Sequence, residues 1–167
     1  MSSAEHRRNA PISVRCFIIT VSDTRTEETD TGGRTLAGLL EAAGHLVEGR
    51  RIVKDDPAAV AALVREQAAT GRVDAIITTG GTGITRRDST FEAIDGLLDK
   101  RLPGFGEIFR MLSFEEIGAA AILSRACAGT FGGAIVVALP GSENAVRLAA
   151  TRLLVPELAH MVAEIRR

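Results

Sequence analysis

Tryptophan and tyrosine are absent from this 167-residue chain, and phenylalanine occurs only six times. Any aromatic stacking on a ligand therefore falls to phenylalanine. Cysteine is scarce as well: Cys16 and Cys127 lie far apart in apolar runs, without the C-x-x-C spacing of a redox pair. They read as buried free thiols, which suits a reducing cytoplasm. His6, His45 and His160 do not cluster, so a histidine metal site is not expected. Charge of one sign is missing too, since 20 basic residues meet 21 acidic ones for a formal net charge of −1. That balance argues against a nucleic-acid or membrane-surface protein, and any anion site must be local. No apolar run approaches the roughly 18 residues of a membrane span, and no apolar segment follows Arg7 and Arg8 as in a secretory signal. Repeats and low-complexity stretches are lacking. A single cytoplasmic domain over residues 13–167 is expected, preceded by a flexible segment, 1–12.

What is present centres on one stretch, Asp74 to Glu92. The apolar run Ala75 to Ile77 stops at Thr78-Thr79 and a glycine cluster, Gly80, Gly81 and Gly83. Ser89-x-x-Glu92 then reads as a capping box that opens a helix. Strand, loop and helix follow in that order. Glycines let the backbone approach a ligand and turn amide N–H groups toward it, which suits an anion. The following helix start and Arg86 and Arg87 add positive character. Two familiar nucleotide loops are excluded. No lysine follows the glycines as the P-loop requires, and Arg86 stands where a dinucleotide fingerprint needs its third glycine. Asp88, at the end of the loop, has no evident structural duty, unless it pairs with Arg86 or Arg87.

The rest of the chain alternates. Val14 to Val21 reads as a strand buried on both faces. A helix capped by Asp30 or Thr31 follows, with Leu36, Leu39, Leu40 and Ala43 at helical spacing and Gly44 as its stop. Leu46 to Val53 is a second strand. Asp56 as N-cap and Pro57 at the first helical position then open a helix whose inner face is Val60, Leu63, Val64 and Gln67 or Ala68. After the central stretch, Phe91, Ile94, Leu97 and Leu98 share one helix side. Glu107 to Ile117 is helical, with Ile108, Phe109, Leu112 and Ile117 expected inward. Met111 and Phe114 fall off that face, and an apolar arc this wide fits either a partner subunit or core packing. Arg125 to Thr130 and Ala134 to Leu139 form a hairpin about Gly132-Gly133, making the sheet mixed. Pro140-Gly141-Ser142 repeats the strand, turn and helix logic, and Pro156 marks a kink or a new helix.

Ligands of open α/β sheets bind beyond the carboxyl ends of strands. Four turns share that position: Ser22-Asp23, Lys54 to Asp56, the Gly80 to Asp88 loop, and Pro140 to Asn144. They would gather glycine amides, the hydroxyls of Thr79, Thr82 and Ser142, and carboxylates. Asp56 is occupied as a cap, whereas Asp55 is not. Carboxylates beside an anion cradle repel the ligand unless a cation intervenes, and Mg²⁺ held by one or two carboxylates and phosphate oxygens resolves this. Phosphate or nucleotide chemistry is the expectation.

These residues carry a resemblance. Thr78 to Asp88, Gly104 to Gly118, Leu123-Ser124-Arg125 and Leu139-Pro140-Gly141-Ser142 together resemble the MogA/MoaB family of molybdopterin-binding proteins, nearest its MoaB branch. The resemblance runs from about Val14 to Leu158. It implies a three-layer α/β/α fold with a mostly parallel sheet, and assembly as a trimer or hexamer. It implies transfer of AMP from ATP to the terminal phosphate of molybdopterin, with Mg²⁺, alongside other molybdenum cofactor biosynthesis proteins. Asp55 and Asp88 match the aspartates of the catalytic pattern and would serve catalysis or hold the metal. Thr79, Gly80, Gly81, Thr82, Gly83, Ser113, Ser124, Gly141 and Ser142 would hold molybdopterin. Some members of the MoaB branch lack the first aspartate and are inactive in adenylyl transfer. Both aspartates stand here, and Arg86-Arg87-Asp88 looks like the MogA version. A carrier or scaffold that kept the pocket without turnover is the alternative.

Overall fold

A computed structural model describes residues 13–167. The segment 1–12, expected to be flexible, lies outside the described residues. Six strands form one sheet: β1 (Arg15–Val21), β2 (Leu46–Val53), β3 (Ala75–Thr79), β4 (Lys100–Arg101), β5 (Cys127–Phe131) and β6 (Ala134–Leu139). Their order across the sheet is β2-β1-β3-β6-β5-β4. The first four of these are mutually parallel, whereas β5 runs antiparallel to β6 and β4 antiparallel to β5. The mixed sheet is therefore present, its hairpin turned by Gly132 and Gly133 at φ of 55° and 80°. Only the two-residue edge strand β4 had no signal in the sequence.

Side-chain alternation along the central strands builds two cores. Cys16, Ile18, Ala75, Ile77, Ile135, Val137 and Leu139 face one side. There they meet α1 (Thr31–Ala42), α4 (Pro103–Ile117), α5 (Glu143–Ala149) and α6 (Val155–Ile165). Phe17, Ile19, Val21, Ile76, Val136 and Ala138 face the other, against α2 (Pro57–Ala69) and α3 (Thr90–Leu97). Three layers result. Leu36 and Leu40 of α1 are fully buried, a burial worth about 1.5–3 kcal/mol for each side chain. On the other face Val60, Leu63, Val64 and Gln67 of α2 are buried as their spacing predicted. Both cysteines are free thiols, and burial pushes each up to about 12.

The helix caps follow the sequence at three points. Asp30 accepts from the Gly33 amide at 3.0 Å and opens α1. Asp56 accepts from the Ala58 amide at 2.9 Å with Pro57 next to it. Ser142 accepts from the Ala145 amide at 3.3 Å. Between α5 and α6 lies one π-helical turn, Ala150–Leu154, so Pro156 joins two helical segments through a widened turn rather than a break.

Helix α4 departs from expectation. It begins four residues earlier, at Pro103, and its buried residues are Phe105, Gly106, Phe109, Leu112 and Ser113. Ile108 and Ile117, expected inward, are 46% and 53% exposed. The reason is the added first turn: with Phe105 as anchor, the i, i+4, i+7 stripe runs through Phe109 and Leu112 and rotates Ile108 and Ile117 outward. Met111 and Phe114 of the same helix are exposed as well, and so is Ile122 in the 3-10 turn that follows.

Register is what positions the site. Thr20 pairs with Thr79, Thr79 with Leu139, and Val21 with Val53. The four parallel strands therefore end level, and the turns after them share one edge.

Candidate functional site

The turns after β3 and β6 meet backbone to backbone. Gly80 and Gly81 both have positive φ, 97° and 68°. A Cβ at Gly80 would strike the Val21 carbonyl, and one at Gly81 would strike the Thr90 hydroxyl. Only glycine fits this double left-handed step. The Gly80 amide donates to the Leu139 carbonyl at 2.9 Å, joining the loop to the end of β6. Beyond it, the amides of Gly81, Thr82 and Gly83 find no acceptor among the described residues.

Their carbonyls are held from behind. Thr90 N–H donates to the Gly81 oxygen at 2.9 Å, and Arg125 donates to the Thr82 oxygen at 2.9 Å and the Gly83 oxygen at 2.5 Å. Arg125 is fixed in turn by Glu92 and by the Phe91 ring, 4.7 Å from its guanidinium. The hydrogen bond from Arg125 holds the Glu92 carboxyl below its usual range. In a trans peptide the N–H points away from the C=O, so tying back the Gly81 and Thr82 carbonyls turns the Thr82 and Gly83 amides the other way.

The loop lines a cavity of about 460 Å³, within the range of small-molecule sites. Gly80, Gly81, Thr82, Gly83, Asp88, Ser113, Ser124, Gly141 and Ser142 line it. These nine are candidates from the sequence, while Glu116, Asn144 and Leu148 line the cavity as well and were not. Thr79 is buried at the end of β3, outside the lining, and Asp55 also stands outside it. Asp55 lies behind the loop, with Oδ2 2.9 Å from where a Gly81 Cβ would be. Ser113 spends its hydroxyl on the Phe109 carbonyl, 2.8 Å away.

The acidic groups are arranged differently from the sequence reading. Asp88 pairs with neither Arg86 nor Arg87. Its Oδ2 accepts from the Thr85 amide at 2.9 Å and hydroxyl at 2.6 Å, so it does have a structural duty, closing the loop on itself. Arg87 instead pairs with Asp23 after β1, holding that carboxyl below the usual range. Asp23 also accepts from the Asp55 amide at 3.2 Å. Three turns are thereby knitted through one carboxylate.

The expected capping box does not form. Ser89 makes no side-chain cap and donates to Asp55 Oδ1 at 3.0 Å, while Glu92 turns to Arg125. The S-x-x-E signal marked the helix start correctly, but both side chains serve the site. Asp23 and Arg125 were legible only as a turn residue and as part of a motif. Charge pairing across 64 and 33 residues leaves no local signature.

Among the described residues no group of three or more His, Cys, Asp or Glu could hold a metal unaided. Among the described residues Asp55 and Asp88 each keep one carboxylate oxygen, Oδ2 and Oδ1, outside any hydrogen bond. Hard oxygen donors supplied in ones and twos, with phosphate oxygens completing the shell, fit Mg²⁺.

The fold and the sequence are shared with known proteins. Molybdenum cofactor biosynthesis protein B of Bacillus cereus is 52% identical over 168 residues, covering 100% of this chain and 99% of the relative. A crystal structure of a molybdenum cofactor biosynthesis protein B superposes with a TM-score of 0.92 at 52% identity, over 95% of this chain and 99% of that one. The tungsten cofactor synthesizing protein MoaB from Pyrococcus furiosus follows at 0.84 and 39% identity, over 95% and 100%. Residues 17–160 match the family described as "Probable molybdopterin binding domain", and the chain belongs to that family.

Proposed function

We propose that this protein acts in molybdenum cofactor biosynthesis, binding molybdopterin in the 460 Å³ cavity and transferring AMP from ATP to its terminal phosphate. The observation that carries the reading is the run of acceptor-free amides at Gly81, Thr82 and Gly83, tied from behind by Arg125. Such a cradle suits a phosphate monoester.

The reaction needs no general base. A phosphate monoester has a second pKa of about 6 and is largely a dianion at neutral pH. One of its oxygens attacks the α-phosphorus of ATP. The bond from that phosphorus to the bridging oxygen breaks, pyrophosphate leaves, and a phosphoanhydride to AMP forms. Repulsion between two polyanions is the obstacle, so the protein's work is positioning and neutralisation. The loop amides would hold the attacking phosphate in line. Asp88, on the cavity wall, and Asp55, fixed by Ser89 and by Asp23, would hold Mg²⁺ through their spare oxygens. Bound there, Mg²⁺ would offset charge on the phosphate oxygens. The exposed apolar side chains of Ile108, Met111, Phe114 and Ile122 support self-association as a trimer or hexamer.

A carrier without turnover is the second reading. It is favoured by Asp55 standing behind the loop rather than in the cavity lining. Titration separates the two. An enzyme binds ATP with Mg²⁺ as well as molybdopterin, whereas a carrier binds molybdopterin alone.

A further inference from the structure

The cavity does not end at the glycine loop. A second hollow of about 250 Å³ adjoins it, lined by Glu116, Asn144, Arg147, Leu148, Thr151 and Arg152. Glu116, Asn144 and Leu148 belong to both, so they stand at the boundary, while Gly80 to Gly83 line only the first. The groove therefore has two ends of unlike chemistry. One offers hydrogen-bond donors from the backbone. At the boundary stand the acceptors, the Glu116 carboxylate and the Asn144 amide oxygen, and beyond them the second hollow is lined by Arg147 and Arg152.

Glu116 is poorly placed for a merely solvated surface residue. It sits in the last turn of α4, where the helix dipole disfavours an anion, and no basic residue shares that turn. It makes no ion pair or hydrogen bond among the described residues, although Arg147 and Arg152 line the same hollow. Arg147 pairs with Glu143 at 3.1 Å instead. Among the residues of the main cavity, Glu116 and Asp88 are the carboxylates, and Asp88 is engaged by Thr85.

We infer that Glu116, assisted by Asn144, is the specificity-determining residue that reads the donor edge of the pterin ring. This rests on molybdopterin being the ligand, as proposed above. A pterin carries an adjacent ring N–H and exocyclic amino group, two parallel donors that match a carboxylate as a guanidinium does. The carbonyl oxygen beside that ring N–H would accept from the Asn144 amide. Adenine has an exocyclic amino group flanked by acceptor ring nitrogens, so a carboxylate meets one donor there instead of two. The pterin end is thereby assigned to the Glu116 side, with the phosphate reaching back to the glycine loop and the adenine of ATP placed elsewhere.

The test is calorimetric titration of molybdopterin, and separately of ATP with Mg²⁺, into full-length wild type and Glu116→Gln. Glu116 is exposed, so the variant should fold, and an unchanged melting temperature checks that it has. Loss of a charge-assisted pair should weaken molybdopterin binding by about tenfold or more and leave ATP binding unchanged. Unaltered binding of both ligands would overturn the assignment of Glu116 while leaving the proposed function standing. Equal weakening of both would also overturn it, as a general charge effect. Wild type that fails to bind molybdopterin would overturn this inference and the proposed function together.

Discussion

Gly141 is seated on Gly80: a Cβ at position 141 would lie 3.1 Å from the Gly80 Cα. The turn after β6 and the turn after β3 thus touch through bare backbone, and the cavity is built around that contact. Strand register brings them level, since Thr79 pairs with Leu139 and each strand ends there.

Substitution at these two glycines should separate strain from packing. Gly80→Ala places a Cβ against the Val21 carbonyl at φ 97° and should cost about 3 kcal/mol or more. Gly141→Ala needs only a small shift and should cost about 1 kcal/mol. Urea unfolding of both variants checks the order. Equal costs would show that the two turns are not packed in this way.

Arg125 should behave as a binding residue without touching ligand. Arg125→Ala leaves the Thr82 and Gly83 carbonyls without their donor and lets the loop relax, so molybdopterin affinity should fall by about 10- to 100-fold. Arg125→Lys should restore little, because one ammonium cannot span two carbonyls, Glu92 and the Phe91 ring together. Titration with molybdopterin checks both variants. Full rescue by lysine would reduce Arg125 to a point charge.

Much of this arrangement was legible in the chain, for identifiable reasons. Strands β1, β3 and β6 are nearly continuous apolar runs, the last two with glycine turns behind them, and Asp30, Asp56 and Ser142 cap helices as their types predict. The nine candidate residues on the cavity wall came from local motifs, whereas Glu116 and Leu148, also on that wall, carried no such signal. What escaped depends on contacts between distant residues. Arg87 turned to Asp23 and not to its neighbour Asp88, and Ser89 gave up its cap for Asp55. Helix α4 shows the limit of periodicity: starting it at Glu107 hides Phe105, and without that anchor Ile108 and Ile117 seem as inward as Phe109. Strand β4, two residues long, exists only because Lys100 and Arg101 pair with Thr130 and Gly129.

At the opposite end of the sheet, Asp74 should set part of the acid stability. Burial pushes its carboxyl up, but hydrogen bonds from Arg15 and the field of Arg166 outweigh this and hold it below the ordinary 3.8. A carboxyl depressed in the folded state stabilises above its unfolded value, and that stabilisation is lost as pH falls through the folded one. Asp74→Asn should therefore lower the melting temperature at neutral pH. The gap from wild type should narrow as pH drops below about 4. Melting curves from pH 7 to acid check this, and a gap independent of pH would contradict it.

The central claim is that the glycine-loop cavity performs adenylyl transfer with Asp88 and Asp55 at its metal. The most direct measurement is incubation of the purified protein with molybdopterin, ATP and Mg²⁺, followed by mass detection of the product. The account predicts adenylylated molybdopterin and pyrophosphate from wild type, with sharply reduced product from Asp88→Asn and from Asp55→Asn. Product formed at the wild-type rate by both variants, or no product from a wild type that binds molybdopterin, would contradict it.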